Sequence, residues 1–116
     1  MSIKVTLRMD VEITDAIDSS GTRGRIWAGR ADRLINLPAL LPPGSFIDLV
    51  SSDDDEFVVN VATVDDYWFD EKNDSLICYL KETIEERSTN PDELVSVAQK
   101  VGWTITGDFL KLLAPV

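Results

Sequence analysis

The chain of 116 residues contains no histidine and a single cysteine, Cys78. Losing histidine removes the usual proton shuttle and the commonest metal ligand. A Ser–His–Asp triad and a Cys–His nucleophile are therefore excluded. With one thiol and no imidazole, one chain cannot supply the ligands of a structural zinc site. Cys78 has no partner for an internal disulfide, so any core must form by burial alone. No apolar run reaches the length of a membrane span. Met1-Ser2-Ile3-Lys4-Val5-Thr6 alternates polar and apolar residues and is not the continuous apolar stretch of a signal peptide. A cytoplasmic protein that avoids membranes is the expectation. Gly21-Thr22-Arg23-Gly24 lacks the lysine and the spacing of a phosphate loop. No catalytic motif, metal site or cofactor is expected.

Positive charge is also scarce, and unevenly so. Up to Ile47, six basic residues stand against five acidic ones; from Asp48 onward there are five against sixteen, which together give the net charge of −10. Binding to nucleic-acid phosphates runs on cationic contacts and released counterions. Direct DNA or RNA binding is thus disfavoured, and a basic protein partner is favoured. The length is that of one domain spanning residues 1–116. An apolar content of 44% is enough for a packed core.

What the sequence does contain is a clear β pattern. Ile3, Val5, Leu7, Met9, Val11 and Ile13 alternate strictly with Lys4, Thr6, Arg8, Asp10 and Glu12. One face of that strand is buried and the other wet, which predicts a long antiparallel strand. The loop over residues 14–24 punctuates a hairpin. A second strand is predicted from near Arg25 to about Leu34, with Ile26 and Ala28 on the inner face. Arg25, Trp27 and Gly29 lie opposite, and Gly29 marks a bulge or tight bend. Leu37-Pro38-Ala39-Leu40-Leu41-Pro42-Pro43-Gly44 can be neither regular strand nor helix. It reads as an apolar connection on the core, ended by a Pro-Gly turn. Short strands follow over residues 46–50 and around residues 57–62, the latter extending toward Tyr67-Trp68-Phe69. After a hairpin loop over residues 70–74, Leu76, Cys78 and Leu80 give the inner face of a fifth strand.

The period then changes. Asn90 is an N-cap, Pro91 a first helical residue and Glu93 the third position of a capping box. Leu94, Val97, Ala98 and Val101 recur at helical spacing, and Gly102 stops the helix. Trp103-Thr104-Ile105-Thr106 is extended. Phe109, Leu110, Leu112 and Leu113 form an apolar tail that docks on the sheet. The expected fold is α+β: a curved antiparallel meander of about five strands with one C-terminal helix. A half-open barrel and a sheet with a helix on one face fit equally.

Three clusters are candidates for chemistry. Asp53-Asp54-Asp55-Glu56 has the oxygen ligands a hard cation takes but no calcium-loop spacing; a solvated turn is the stronger reading. Val64-Asp65-Asp66-Tyr67-Trp68-Phe69-Asp70-Glu71 sets aromatics among carboxylates, as a carbohydrate site does. Adjacent Asp65 and Asp66 on a regular strand point to opposite faces, so a strand end is the stronger reading. Arg23, Arg25, Arg30 and Arg33 with Trp27 form the main cationic cluster. They suit an anion or an acidic partner, but cross-strand pairs of Arg23 and Arg25 with Asp10 and Glu12 are the stronger reading. Cys78, in phase with Leu76 and Leu80, is a buried small hydrophobe.

The expected function is non-enzymatic: a binding or assembly module that forms a homodimer or docks a protein partner. Arg23, Arg25, Trp27, Arg30, Arg33 and Trp68 are its candidate contact residues. One alternative is an acidic mimic that occupies a basic or nucleic-acid-processing protein. Another is a small-molecule carrier lined by Trp27, Trp68, Tyr79 or Trp103. An enzyme working through carboxylates alone would need a raised-pKa acid in an apolar pocket.

The alternating start, the Arg25-Ile26-Trp27-Ala28 strand, the strands around Val58–Ala62 and Leu76–Leu80 and the late acidic helix together resemble small orphan proteins of bacterial mobile gene cassettes, the integron cassette proteins. That resemblance implies no activity and no functional residue.

Overall fold

The computed structural model describes residues 2–49 and 61–110. Within them the elements run β1 (Ile3–Ala16), β2 (Arg25–Leu37), β3 (Phe46–Asp48), β4 (Val61–Asp70), β5 (Ser75–Arg87), α1 (Pro91–Lys100) and β6 (Thr104–Phe109). The six described strands form one open sheet in the order β3-β4-β5-β1-β2-β6. The class is α+β, as expected, but two features of the expected meander are corrected. A sixth strand follows the helix, and β1 pairs with β5 in parallel. The sheet is mixed and does not close.

The alternation in β1 works as read. Val5, Leu7, Met9, Val11 and Ile13 are buried, and the residues between them face away from the core. β2 is in the opposite phase to the one expected. Trp27 and Ala31 are buried, whereas Ile26 is exposed. The cause is the close approach of β2 to β6. Gly29 pairs with Gly107, and a Cβ on Gly29 would collide with the Thr106 carbonyl oxygen. A Cβ on Gly107 would sit 2.7 Å from the far edge of the Trp27 ring. The two glycines thus make a slot in which the indole lies against bare backbone. Gly29 marks this approach and not a bulge; the irregularity between β1 and β2 falls between Ile13 and Ala16.

Two connections cross the sheet, and both lie on the core face. Residues 38–45 carry the chain from β2 to β3, across four strand positions. That is about 19 Å at normal strand spacing, within reach of eight extended residues, which span roughly 27 Å. The prolines keep this segment out of helix, and the chain bends at residues 38–39 and turns at residues 43–44. Leu41 packs on the core cluster, and its N–H donates to the Tyr67 hydroxyl at 3.0 Å. A turn closed by Ser45 N–H to the Pro42 carbonyl at 3.1 Å then feeds β3. The apolar connection expected here is present, although Leu40 is exposed.

The helix makes the second crossing, from β5 to β6. Its ends are where the sequence places them. The Asn90 side chain accepts from Asp92 N–H at 2.9 Å, and Pro91 is the first helical residue. At the far end Trp103 N–H reaches the Ala98 carbonyl and Gly102 N–H the Gln99 carbonyl, at 3.0 and 3.3 Å. These are the paired bonds of a Schellman cap, and the positive φ of Gly102 makes them possible. Leu94, Ala98 and Trp103 join β1, β2 and β6 in the core. The opposite face of the sheet is covered by no described element. The expected strand residues Val50, Phe57 and Val59, the acidic run Asp53-Asp54-Asp55-Glu56 and the tail residues Leu112 and Leu113 lie outside the described residues.

The glycine slot has a direct test. Gly107→Ala should destabilise the fold by about 1–3 kcal/mol through overpacking, read as a lower urea midpoint at unchanged m. An unaltered midpoint would show that β2 and β6 can separate freely and that Trp27 does not need the slot.

Candidate functional site

The six candidate contact residues do not come together. Trp27 is 5% exposed and belongs to the core. Arg25 lies over the Phe109 ring at 4.5 Å, and Arg33 over Trp103 at 5.9 Å, both packed on aromatic faces at the margin of the core side. Arg23 pairs with Asp15 at 2.9 Å and donates to Ser88 at 3.0 Å. The expected cross-strand pairs of Arg23 and Arg25 with Asp10 and Glu12 are therefore replaced. The residues opposite Asp10 and Glu12 on β2 are Arg30 and Ala28. Only Arg30 and Trp68 remain on the bare sheet face.

That face is ordered in rows, because strand register fixes which side chains lie abreast. One row runs Trp68, Ile77, Thr6, Leu34 across β4, β5, β1 and β2. Its ends are exposed, Trp68 to 62% and Leu34 to 60%, while Ile77 at its centre is only 5% exposed. The next row runs Asp66, Tyr79, Arg8, Asp32, Thr104. Here Arg8 is the anchor. Its Nε and Nη2 donate to the two Asp32 oxygens at 2.8 and 3.1 Å, and its Nη1 lies 3.5 Å from the Tyr79 hydroxyl. The guanidinium also stands over the Tyr79 ring at 5.8 Å. The Asp32 bond, aided by Tyr79, holds Arg8 protonated against the opposing effect of burial. The Arg8 side chain is 13% exposed, so the bare face has a rigid, half-buried polar centre.

Two irregularities meet beside this row. Asp65 is an extra residue in β4 between the pairs Val64–Leu80 and Asp66–Tyr79. In β5, residues 80–82 stand opposite Met9 alone, between the pairs Arg8–Tyr79 and Asp10–Thr83. Bulges re-aim side chains, and these two open a hollow of about 380 Å³ lined by Asp10, Asp65, Asp66, Trp68, Tyr79 and Leu80. Asp65 and Asp66 therefore face the same space, which corrects the expectation that they point apart. The alternation rule fails at the inserted residue. Asp66 accepts from Tyr67 N–H at 2.8 Å. The carboxylates of Asp10 and Asp65 have no hydrogen-bond or ion-pair partner among the described residues.

Glu82 holds the bulge in place. Both its carboxylate oxygens accept from Thr63 N–H, at 2.9 and 2.7 Å. Burial raises its pKa, but the Thr63 bonds outweigh that and leave the carboxyl below its ordinary value. On the core side, burial pushes the Cys78 thiol up, so the thiolate needed for nucleophilic chemistry is disfavoured. No buried side-chain polar atom lacks a partner among the described residues, and none of their acidic groups forms a metal-binding set. No described helix is long and apolar enough to cross a membrane.

Bulges leave almost no trace in a single sequence. The available signal was the conflict between aromatics and acids in Val64-Asp65-Asp66-Tyr67-Trp68, where no single alternation satisfies every residue. No family model, no curated protein and no solved structure matches the chain.

The Glu82 contact predicts a pH dependence. A carboxyl whose folded pKa lies below its unfolded value of about 4.3 stabilises fully above that value. The contribution fades as pH falls through the folded value. Glu82→Gln should therefore lower the urea midpoint at pH 7, and the difference from wild type should shrink as pH falls below about 4. Equal midpoints at pH 7 would show that the Thr63 contact does not hold the bulge.

Proposed function

We propose that the chain is a non-enzymatic assembly module whose bare sheet face docks on the same face of a second copy. The row Trp68, Ile77, Thr6, Leu34 carries this reading. Its exposed ends, Trp68 and Leu34, sit on strands three positions apart, with the buried Ile77 between them. A two-fold axis parallel to the strands, running between β5 and β1, sets β2 of one copy over β4 of the other. The row then meets itself reversed. Trp68 of each copy covers Leu34 of the other, as an isologous interface requires. The polar centre at Arg8 is already neutralised by Asp32, so covering it leaves no bare charge there.

The area reaches the lower end of the standard range. Four strands by about ten residues outline roughly 600 Å² per copy, against about 800 Å² per partner in a standard interface. Sheets packed in this way keep their strands within about 30° of each other. A reducing compartment such as the cytoplasm suits the free Cys78.

Sedimentation equilibrium of the full chain, at low and high salt, tests the reading. A dimer is expected in both. Trp68→Ala and Leu34→Asp should each weaken it by about 1–3 kcal/mol, or about five- to 150-fold in Kd, with an unchanged circular dichroism spectrum. A wild-type monomer at every concentration in both salts contradicts the proposal.

A further inference from the structure

We infer that the hollow beside Trp68 receives the guanidinium of Arg30 from the second copy, which fixes the register of the assembly; this rests on the two-fold docking proposed above. Arg30 lies on the bare face of β2, and its side chain is 53% exposed. Its ion-pair contact among the described residues is a loose one, 3.9 Å from Asp32 Oδ2. That oxygen already accepts from Arg8 at 3.1 Å. Arg30 is thus a spare cation on an acidic molecule.

The hollow is its chemical complement. It presents three carboxylates, Asp10, Asp65 and Asp66, beside the rings of Trp68 and Tyr79. The two rings meet edge to face with centroids 6.1 Å apart. A guanidinium is planar, stacks on aromatic faces and pairs with carboxylates through a fixed fork of donors. An ammonium lacks that fork. The rows also agree. Arg30 lies four residues from Leu34 along β2, and the hollow opens from Asp66 and Asp65, two and three residues from Trp68 along β4. An axis that sets Leu34 over Trp68 therefore sets Asp32 of the second copy over Asp66 and Arg30 one row beyond, at the mouth of the hollow and beside both carboxylates, and does so twice.

Within one chain the same contact cannot form with Asp66. β2 and β4 are three strand positions apart, roughly 14 Å. Asp10, in contrast, lies directly across from Arg30 in its own chain, so a test through Asp10 would mix the two cases. Asp66 separates them.

The experiment is a charge-reversal cycle on the full chain, read by sedimentation equilibrium. Arg30→Glu and Asp66→Arg should each raise the dimer Kd about tenfold or more, and the double variant should return it to within about threefold of wild type. Arg30→Lys should fall between wild type and Arg30→Glu. Arg30 and Asp66 are solvent-facing, and matching circular dichroism spectra confirm that the variants fold. Single reversals that leave Kd unchanged, in a dimer that Leu34→Asp still dissociates, overturn the Arg30 contact and leave the docking face standing. Singles that weaken without recovery in the double also overturn it. A monomeric wild type overturns the docking reading, and the Arg30 contact with it.

Discussion

The segment over residues 38–45 and the helix α1 cross the same side of the sheet, and the rest of the molecule depends on that shared side. The sheet has six described strands, and two connections must traverse it. Placing both on one face buries the alternating apolar residues of β1 under two different covers. Leu41 and Tyr67 serve one half of that layer, and Leu94, Ala98 and Trp103 the other. The cost is that the second face receives no cover from any described element. β1 is suited to this division, because its even-numbered residues from Lys4 to Thr14 are polar.

An uncovered face still has to be organised. Arg8 does this by tying β1 to β2 through Asp32 and to β5 through Tyr79. Charged groups so placed need their donors and acceptors matched, and Arg8 has a bidentate partner and an aromatic face. The bulges in β4 and β5 are the counterpart of that order. They interrupt the rows where Glu82 holds Thr63, and they gather acids around Trp68 and Tyr79. The face therefore combines apolar row ends, a neutral rigid centre, an acidic hollow and one loosely held arginine.

Much of the fold is legible in the sequence where a local rule acts alone. The β1 alternation, the Asn90 cap and the Gly102 stop each follow from one short-range cause, and each is found in place. What is not legible is set by neighbours. The phase of β2 turns on Gly107, distant in sequence, which allows Trp27 to be buried where Ile26 had the better pattern. The parallel pairing of β1 with β5 leaves no local mark, since alternation by itself reads as antiparallel. The second half of β5, Lys81 to Arg87, is charged enough to read as loop, and among those residues Ile84 alone is buried. The arginine cluster, compact in sequence, is scattered because successive strand residues alternate faces and Arg23 lies before the strand begins. Trp68 is legible as a candidate contact residue and is exposed in the structure, but its acidic surroundings depend on bulges that no period reveals.

The central claim is that copies meet through the bare sheet face. It is tested most directly by backbone amide NMR spectra over a dilution series of the wild-type chain. Concentration-dependent shifts are expected at Thr6, Arg8, Leu34, Trp68, Ile77 and Tyr79, with α1, on the opposite side of the sheet, unaffected. Shifts confined to α1, or spectra that do not change with concentration, would contradict it.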